Sequence, residues 1–410
     1  MHALQSVSLV STPAAAVIYA VVIVTALVAL WRPTRRTAWA AIGALAVLAI
    51  VAFGLSVWPK PFPDSVPWTI YASGAAAAFV LFSAMVQRGR RILLALLAVV
   101  AVAAAYLSTN LIYQQYPTIG SIRPAPVAAP MSLEQFQATT AAPTLDGREV
   151  GALVTMPAEP LRDAVVYIPP AYWHGATLPV LVLLSGSPGK PIDWFITGQA
   201  AEALDDFQTG HDGVAPIVVS ADPIGAETNN PACVDGPDYQ IQTYLSQDIP
   251  QKIRQNFRVN PDQHTWTIGG LSYGGTCSLQ IVTNSPQSYG SFLDFSGEPE
   301  PTLGNHQQTV DKLFDGDEEA FQAVNPETLL RDAAGTPKYR GIAGRFVSGE
   351  RDTIATAALP HLNDLAHAAG MDTTYETRPG AHSYAVWRVA LRENLDFVAQ
   401  RGGITEGESK

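Results

Sequence analysis

The spacing of apolar and polar positions divides the chain into two unlike parts. Residues 1–113 carry four long apolar stretches, at 9–31, 37–58, 68–86 and 92–113, separated by short polar loops. Each has about the 20 residues that a helix needs to cross a hydrocarbon core. None contains Asp, Glu, Lys, Arg or His. Four transmembrane helices are predicted, serving as an anchor or docking surface, because a transport path would place ionisable groups inside the spans. Residues 114–130 then repeat proline, which suppresses helix and favours an extended tether. From about Met131 the pattern changes. Short apolar runs recur at 164–168, 180–184, 217–221, 265–268, 292–295, 344–347 and 373–376, several of them continuous, as for strands covered on both faces. Helix-compatible stretches lie between them at 244–256, 274–282, 353–369 and 383–400. This alternation predicts an α/β domain over 131–410, with a mainly parallel sheet and helices on both faces.

Composition and charge sharpen the division. With 48% apolar and 15% charged residues in 410, the chain is not a disordered, collagenous or nucleic-acid-coating protein. Residues 1–123 hold eight Lys/Arg and one acid, whereas the remainder holds 17 basic and 35 acidic residues. The total of −11 argues against nucleic acid as a partner. Clustered arginines follow the first span (Arg32, Arg35, Arg36) and the third (Arg88, Arg90, Arg91), and so share one side. The positive-inside bias makes that side the cytoplasm. The N-terminus, the 60–67 loop and everything after the fourth span are therefore expected outside, in a multi-pass plasma-membrane protein. A cleaved signal peptide is not expected, because residues 1–8 lack a basic region and three more spans follow.

One loop carries chemistry. The run Thr265-Trp266-Thr267-Ile268 leads into Gly269-Gly270-Leu271-Ser272-Tyr273-Gly274-Gly275 and then a helix-compatible stretch. Gly270, Ser272 and Gly274 form G-x-S-x-G, a turn so tight that only small residues fit two places either side of the serine. A serine hydroxyl needs a base, and the base needs a carboxylate, in the order Ser, acid, His. Of the histidines after Ser272, His361 and His367 fall inside a helix and His306 in a polar insertion, whereas His382 sits in a loop between the last strand and the last helix. His382 is the expected base. The loop after 344–347 offers Asp352, with Glu350 as rival; Asp294 and Glu298 precede the expected strand and are weaker candidates. Oxyanion donors are expected at the backbone N–H groups of Tyr273 and of Ser187, in the loop Leu183-Leu184-Ser185-Gly186-Ser187.

These residues carry a resemblance. Leu183-Leu184-Ser185-Gly186-Ser187, Gly270–Gly275 and His382-Ser383-Tyr384-Ala385-Val386-Trp387 are similar to the oxyanion, nucleophile and histidine motifs of the esterase family of α/β-hydrolases, which includes the secreted mycolyltransferases of the mycobacterial envelope. Tyr244–Pro250 resembles the helix leading to the nucleophile strand. The likeness covers about 150–400. It implies an α/β-hydrolase fold, a serine acyl-enzyme mechanism and an acyl ester substrate, of lipid or envelope glycolipid given the anchor. The four spans are not part of the secreted enzymes, and the 349–353 loop looks closer to esterases, so hydrolysis and transfer to a carbohydrate hydroxyl both stay open. A non-catalytic envelope scaffold is the reading from another class. Outside the cytoplasm Cys233 and Cys277, the only cysteines, can form a disulfide beside the site. No metal site and no cofactor are expected, the acidic run 315–319 reading as solvated surface. Acyl chain, acceptor, oligomeric state and any lid role of 299–340 stay open.

Overall fold

A computed structural model describes residues 2–404 apart from Arg32 and Phe62, with the side chains of His2 and Ala3 left aside. The chain divides into two compact units, Met1–Pro124 and Ala125–Lys410.

In the first unit four helices, Thr12–Leu30, Arg35–Ser56, Trp68–Val86 and Arg91–Tyr113, are long and apolar enough to cross a membrane. Their facing sides are built from small residues, including Ala29, Ala40, Ala44, Ala77, Ala98 and Ala101. Small side chains let helices approach closely where water supplies no driving force. The Ser73 and Ser108 hydroxyls satisfy each other between helices at 2.6 Å. The outward sides expose Ile23, Leu27, Ile50, Leu96 and Val99, the reverse of a water-facing bundle. Arg90 donates to the carbonyls of Val28 and Trp31, so the basic loop after the third span reaches the end of the first helix. At the opposite end Leu9 N–H donates to Pro117 O and Ile119 N–H to Val7 O, joining the N-terminal segment to the segment that leaves the fourth span.

Among the described residues the second unit is built on eleven strands: β1 (Ala128–Ser132), β2 (Thr144–Leu145), β3 (Arg148–Glu149), β4 (Gly151–Met156), β5 (Ala164–Ile168), β6 (Val180–Leu184), β7 (Ile217–Ala221), β8 (Thr267–Leu271), β9 (Ser291–Phe295), β10 (Ala343–Gly349) and β11 (Asp372–Arg378). β2 and β3 form a small hairpin; the other nine make one sheet in the order β1-β4-β5-β7-β6-β8-β9-β10-β11. Only β5 runs antiparallel to its neighbours. Every residue of β6, β7, β8 and β9 is buried, because apolar layers cover both faces. Continuous apolar runs are what such doubly covered strands require. β1 begins within the stretch whose prolines predict a tether. Pro130 is accommodated because β1 is an edge strand, where a missing N–H costs no ladder bond.

The connection from β6 goes to one side, to β7, while β8 lies on the other. In open α/β sheets such a reversal opens a crevice at the carboxyl ends of the strands. Leu184 of β6 pairs with Gly270 of β8 there, which brings the 185–189 loop beside the serine turn. Packing across neighbouring strands is tight farther along: a Cβ on Gly344 of β10 would overlap the ring of Phe292, its partner on β9. Gly344→Ala is expected to cost about 1–3 kcal/mol, read as a lower thermal midpoint of the detergent-solubilised protein; an unchanged midpoint would contradict this packing.

Candidate active site

Ser272 stands between β8 and the helix Tyr273–Asn284, at φ 55 and ψ −123. This left-handed conformation is rare outside glycine and is sustained only where the surroundings impose it. They do so sterically. A Cβ on Gly270 would overlap the backbone of Gly274, and one on Gly274 the carbonyls of Leu184 and Ser185. The Ser272 N–H is anchored on Phe295 O of β9 at 2.8 Å. The hydroxyl is thereby held above the N-terminal end of the helix.

The His382 Nε2 lies 2.9 Å from Ser272 Oγ, and its Nδ1 lies 2.8 Å from Asp352 Oδ2. The three residues come from loops after β8, β10 and β11, 110 and 30 positions apart in the chain. Trp387, one turn into the last helix, meets the imidazole edge to face at 5.0 Å. Asp352 is buried and also caps the helix Thr353–Ala368, accepting from Ala355 N–H through its other oxygen. Capping and orienting the histidine are thus shared between its two oxygens. Glu350 is exposed. His361 faces Glu327, His367 is exposed, and His306 lies between Glu300 and Glu318, so none of them is brought to Ser272. Glu298 is nearly buried, its backbone N–H on Thr276 Oγ1.

Gly186 approaches the serine closely, since a Cβ there would lie 3.5 Å from Ser272 Cβ. Ser187 follows it, its hydroxyl donating to Asn229 O at 2.8 Å. Tyr273 N–H begins the helix Tyr273–Asn284. Cys233 and Cys277 are joined as a disulfide, with Cα atoms 5.5 Å apart, tying the 223–240 loop to that helix. The loop also lines an open cleft of about 560 Å³ with Ala226, Thr228, Asn229, Asp238 and Tyr239. Among the described residues no group of His, Cys, Asp or Glu is arranged to hold a metal.

Two buried carboxyls that feel each other's charge differ in how tightly they hold a proton. Burial pushes Asp352 up, but the hydrogen bond and charge of His382 outweigh it and leave the group below its ordinary value. It therefore stays ionised and able to stabilise an imidazolium. Asp294, at the end of β9, is fully buried and receives only Gly297 N–H, at 2.7 Å on one oxygen. Burial, with the like charge of Asp352 added, raises it to about 7. Pattern reading considers Asp294 only as a rival acid and misses its raised proton affinity; the available signal is a carboxylate inside the largely apolar run Ser291–Phe295.

The family described as "Putative esterase" matches residues 160–398. An uncharacterised protein of Corynebacterium glutamicum is 52% identical over 425 residues, covering 98% of this chain and all of its own length. Among solved structures, a ferulic acid esterase (TM-score 0.51, 19% identity) covers 59% of this chain and 92% of its own. An S-formylglutathione hydrolase from Agrobacterium tumefaciens (TM-score 0.51, 20% identity) covers 62% and 95%. These structures share the fold. A doubly covered α/β sheet with a serine elbow defines the α/β-hydrolase class. The chain belongs to the esterase family and is a serine hydrolase.

Asp294 supplies a test of the buried pair. The native state holds its proton to about pH 7, whereas an unfolded chain releases it near 3.8. The folded form thus binds more protons between those values, and stability falls as pH rises through them. Asp294→Asn is expected to remove this fall, so that the variant's stability relative to wild type increases from pH 5 to pH 8. A difference independent of pH would contradict the assignment.

Proposed function

We propose that the protein is a membrane-anchored serine esterase whose catalytic domain lies outside the cytoplasm and acts on acyl esters of lipid or cell-envelope glycolipid. The observation that carries this reading is the continuous relay from Asp352 through His382 to Ser272, at 2.8 and 2.9 Å. His382 takes the Ser272 proton as Oγ attacks the acyl carbonyl, and Asp352 stabilises the resulting imidazolium. The carbonyl oxygen, now negative, is held by the N–H groups of Ser187 and Tyr273 and favoured by the helix N-terminus. His382 returns the proton to the leaving alcohol, giving acyl-Ser272. Water, or an alcohol acceptor, then attacks with His382 as base and frees the serine.

The anchoring half rests on the four helices and on their ends. The arginine loops lie together, as the Arg90 bonds to Val28 and Trp31 require. Exposed Trp31 and Trp39 flank that end, and Trp58 and Trp68 flank the other, where interfacial tryptophans favour the headgroup layer. Arginines face the cytoplasm, so the N-terminus and the hydrolase domain share the outside. Tethering there suits an ester that is itself held in the envelope.

Fluorophosphonate labelling of the purified protein is expected at Ser272 and to vanish with Ser272→Ala, together with hydrolysis of a p-nitrophenyl ester. Asp352→Asn is expected to lower kcat by roughly 10³-fold or more. Labelling that persists in Ser272→Ala would exclude the mechanism. For topology, a thiol introduced by Ser65→Cys is expected to react with an impermeant maleimide in intact cells, and one introduced by Gly89→Cys only after permeabilisation. The reverse pattern would put the domain inside.

A further inference from the structure

The two N–H groups assigned to the oxyanion sit on separate loops, yet one segment holds the side-chain hydroxyls of both residues. Asp222, directly after β7, is fully buried. Its carboxylate accepts from Ile224 and Gly225 N–H at 3.0 Å each, and from Arg162 through Nε at 2.8 Å and a terminal nitrogen at 2.7 Å. That same Arg162 nitrogen donates to Gly189 O at 3.1 Å, reaching into the Ser187 loop. Farther along, Glu227 O accepts Gly189 N–H at 2.9 Å and Asn229 O accepts the Ser187 hydroxyl at 2.8 Å. The Tyr273 hydroxyl donates to Pro223 O at 3.1 Å and accepts Cys233 N–H at 2.8 Å, so both ends of the segment close on it. Gln280 Nε2 holds Cys233 O at 2.9 Å, and the disulfide to Cys277 completes the attachment to the nucleophile helix.

We propose that the 222–233 segment is the positioning element of the oxyanion hole, with the Tyr273 hydroxyl, the Ser187 hydroxyl and the Arg162–Asp222 pair as positioning groups that fix the separation of the Ser187 and Tyr273 N–H donors. The proposal rests on the esterase reading above. Oxyanion stabilisation acts through donors placed before reaction, within a few tenths of an ångström of where charge develops. Neither hydroxyl reaches toward the reacting carbonyl, because each is already spent on a carbonyl of this segment. Their removal therefore loosens the donors without removing them. Substrate binding, which precedes charge development, is left alone.

The test uses Tyr273→Phe and Ser187→Ala, which keep both N–H groups, singly and together, in the full-length detergent-solubilised enzyme. With p-nitrophenyl butyrate as probe, each single variant is expected to lower kcat about tenfold with KM within about twofold. Affinity for a trifluoromethyl ketone, which forms a tetrahedral oxyanion on Ser272, is expected to fall in parallel with kcat. The double variant is expected to lose less than the product of the single losses, because both act through one segment. Wild-type kcat and ketone affinity in both single variants, losses confined to KM, or fully multiplicative losses would overturn the proposal. An unreactive wild-type Ser272 would overturn the esterase reading and this inference together, whereas a reactive wild type with indifferent variants overturns this inference alone.

Discussion

Everything at the site depends on a backbone turn that an L-residue ordinarily avoids. Ser272 at φ 55 is stable only because glycines at 270 and 274 let β8 and the following helix pass at near contact, and because Phe295 O accepts the serine N–H. Such a conformation costs about 1–3 kcal/mol, and the fully buried β6, β8 and β9 around it supply the constraint that holds it. The same tight turn fixes where the helix begins, and hence where the Tyr273 N–H and the positive end of the helix dipole lie. In the proposed mechanism, nucleophile geometry and anion stabilisation are in this sense one constraint.

The imidazole is then oriented by a carboxylate whose two oxygens do different jobs. Asp352 caps its own helix and meets His382, so the position of the acid is set by secondary structure and the histidine by the acid. What keeps Asp352 ionised in a buried place is the hydrogen bond and charge of His382. Its buried neighbour Asp294 has no such partner among the described residues and is pushed up to about 7 by burial and by the like charge of Asp352.

Much of this is legible in the sequence, and the reasons differ by element. Val180–Leu184 and Ile217–Ala221 announce themselves because strands buried on both faces must be continuously apolar. Ser272 and His382 announce themselves because a strand, a small-residue turn and a helix follow in order. Asp352 is favoured over Glu350 by its place deeper in the loop, next to the helix start, and the cap geometry, with Glu350 exposed, agrees with that choice. β1 hides behind Pro126 and Pro130, since an edge strand and a tether tolerate proline equally. β4 and the helices of the 299–340 insertion also escape, lying among polar residues with weak periodicity. The Arg162–Asp222 pair joins residues 60 positions apart, and nothing local marks them except a carboxylate at the carboxyl end of a buried strand. The first unit is legible because its four apolar stretches have the length and the absence of charge that a lipid environment demands.

The central claim is that these loops make one hydroxyl reactive toward carbonyl carbon. Its most direct test is a rapid-quench experiment with a p-nitrophenyl ester, followed by mass analysis of the proteolysed enzyme. The account predicts a burst of nitrophenol approaching one equivalent per chain and an acyl increment on the peptide carrying Ser272, with the burst slowed severely in His382→Ala. Linear release without a burst, together with no increment on that peptide, would contradict it.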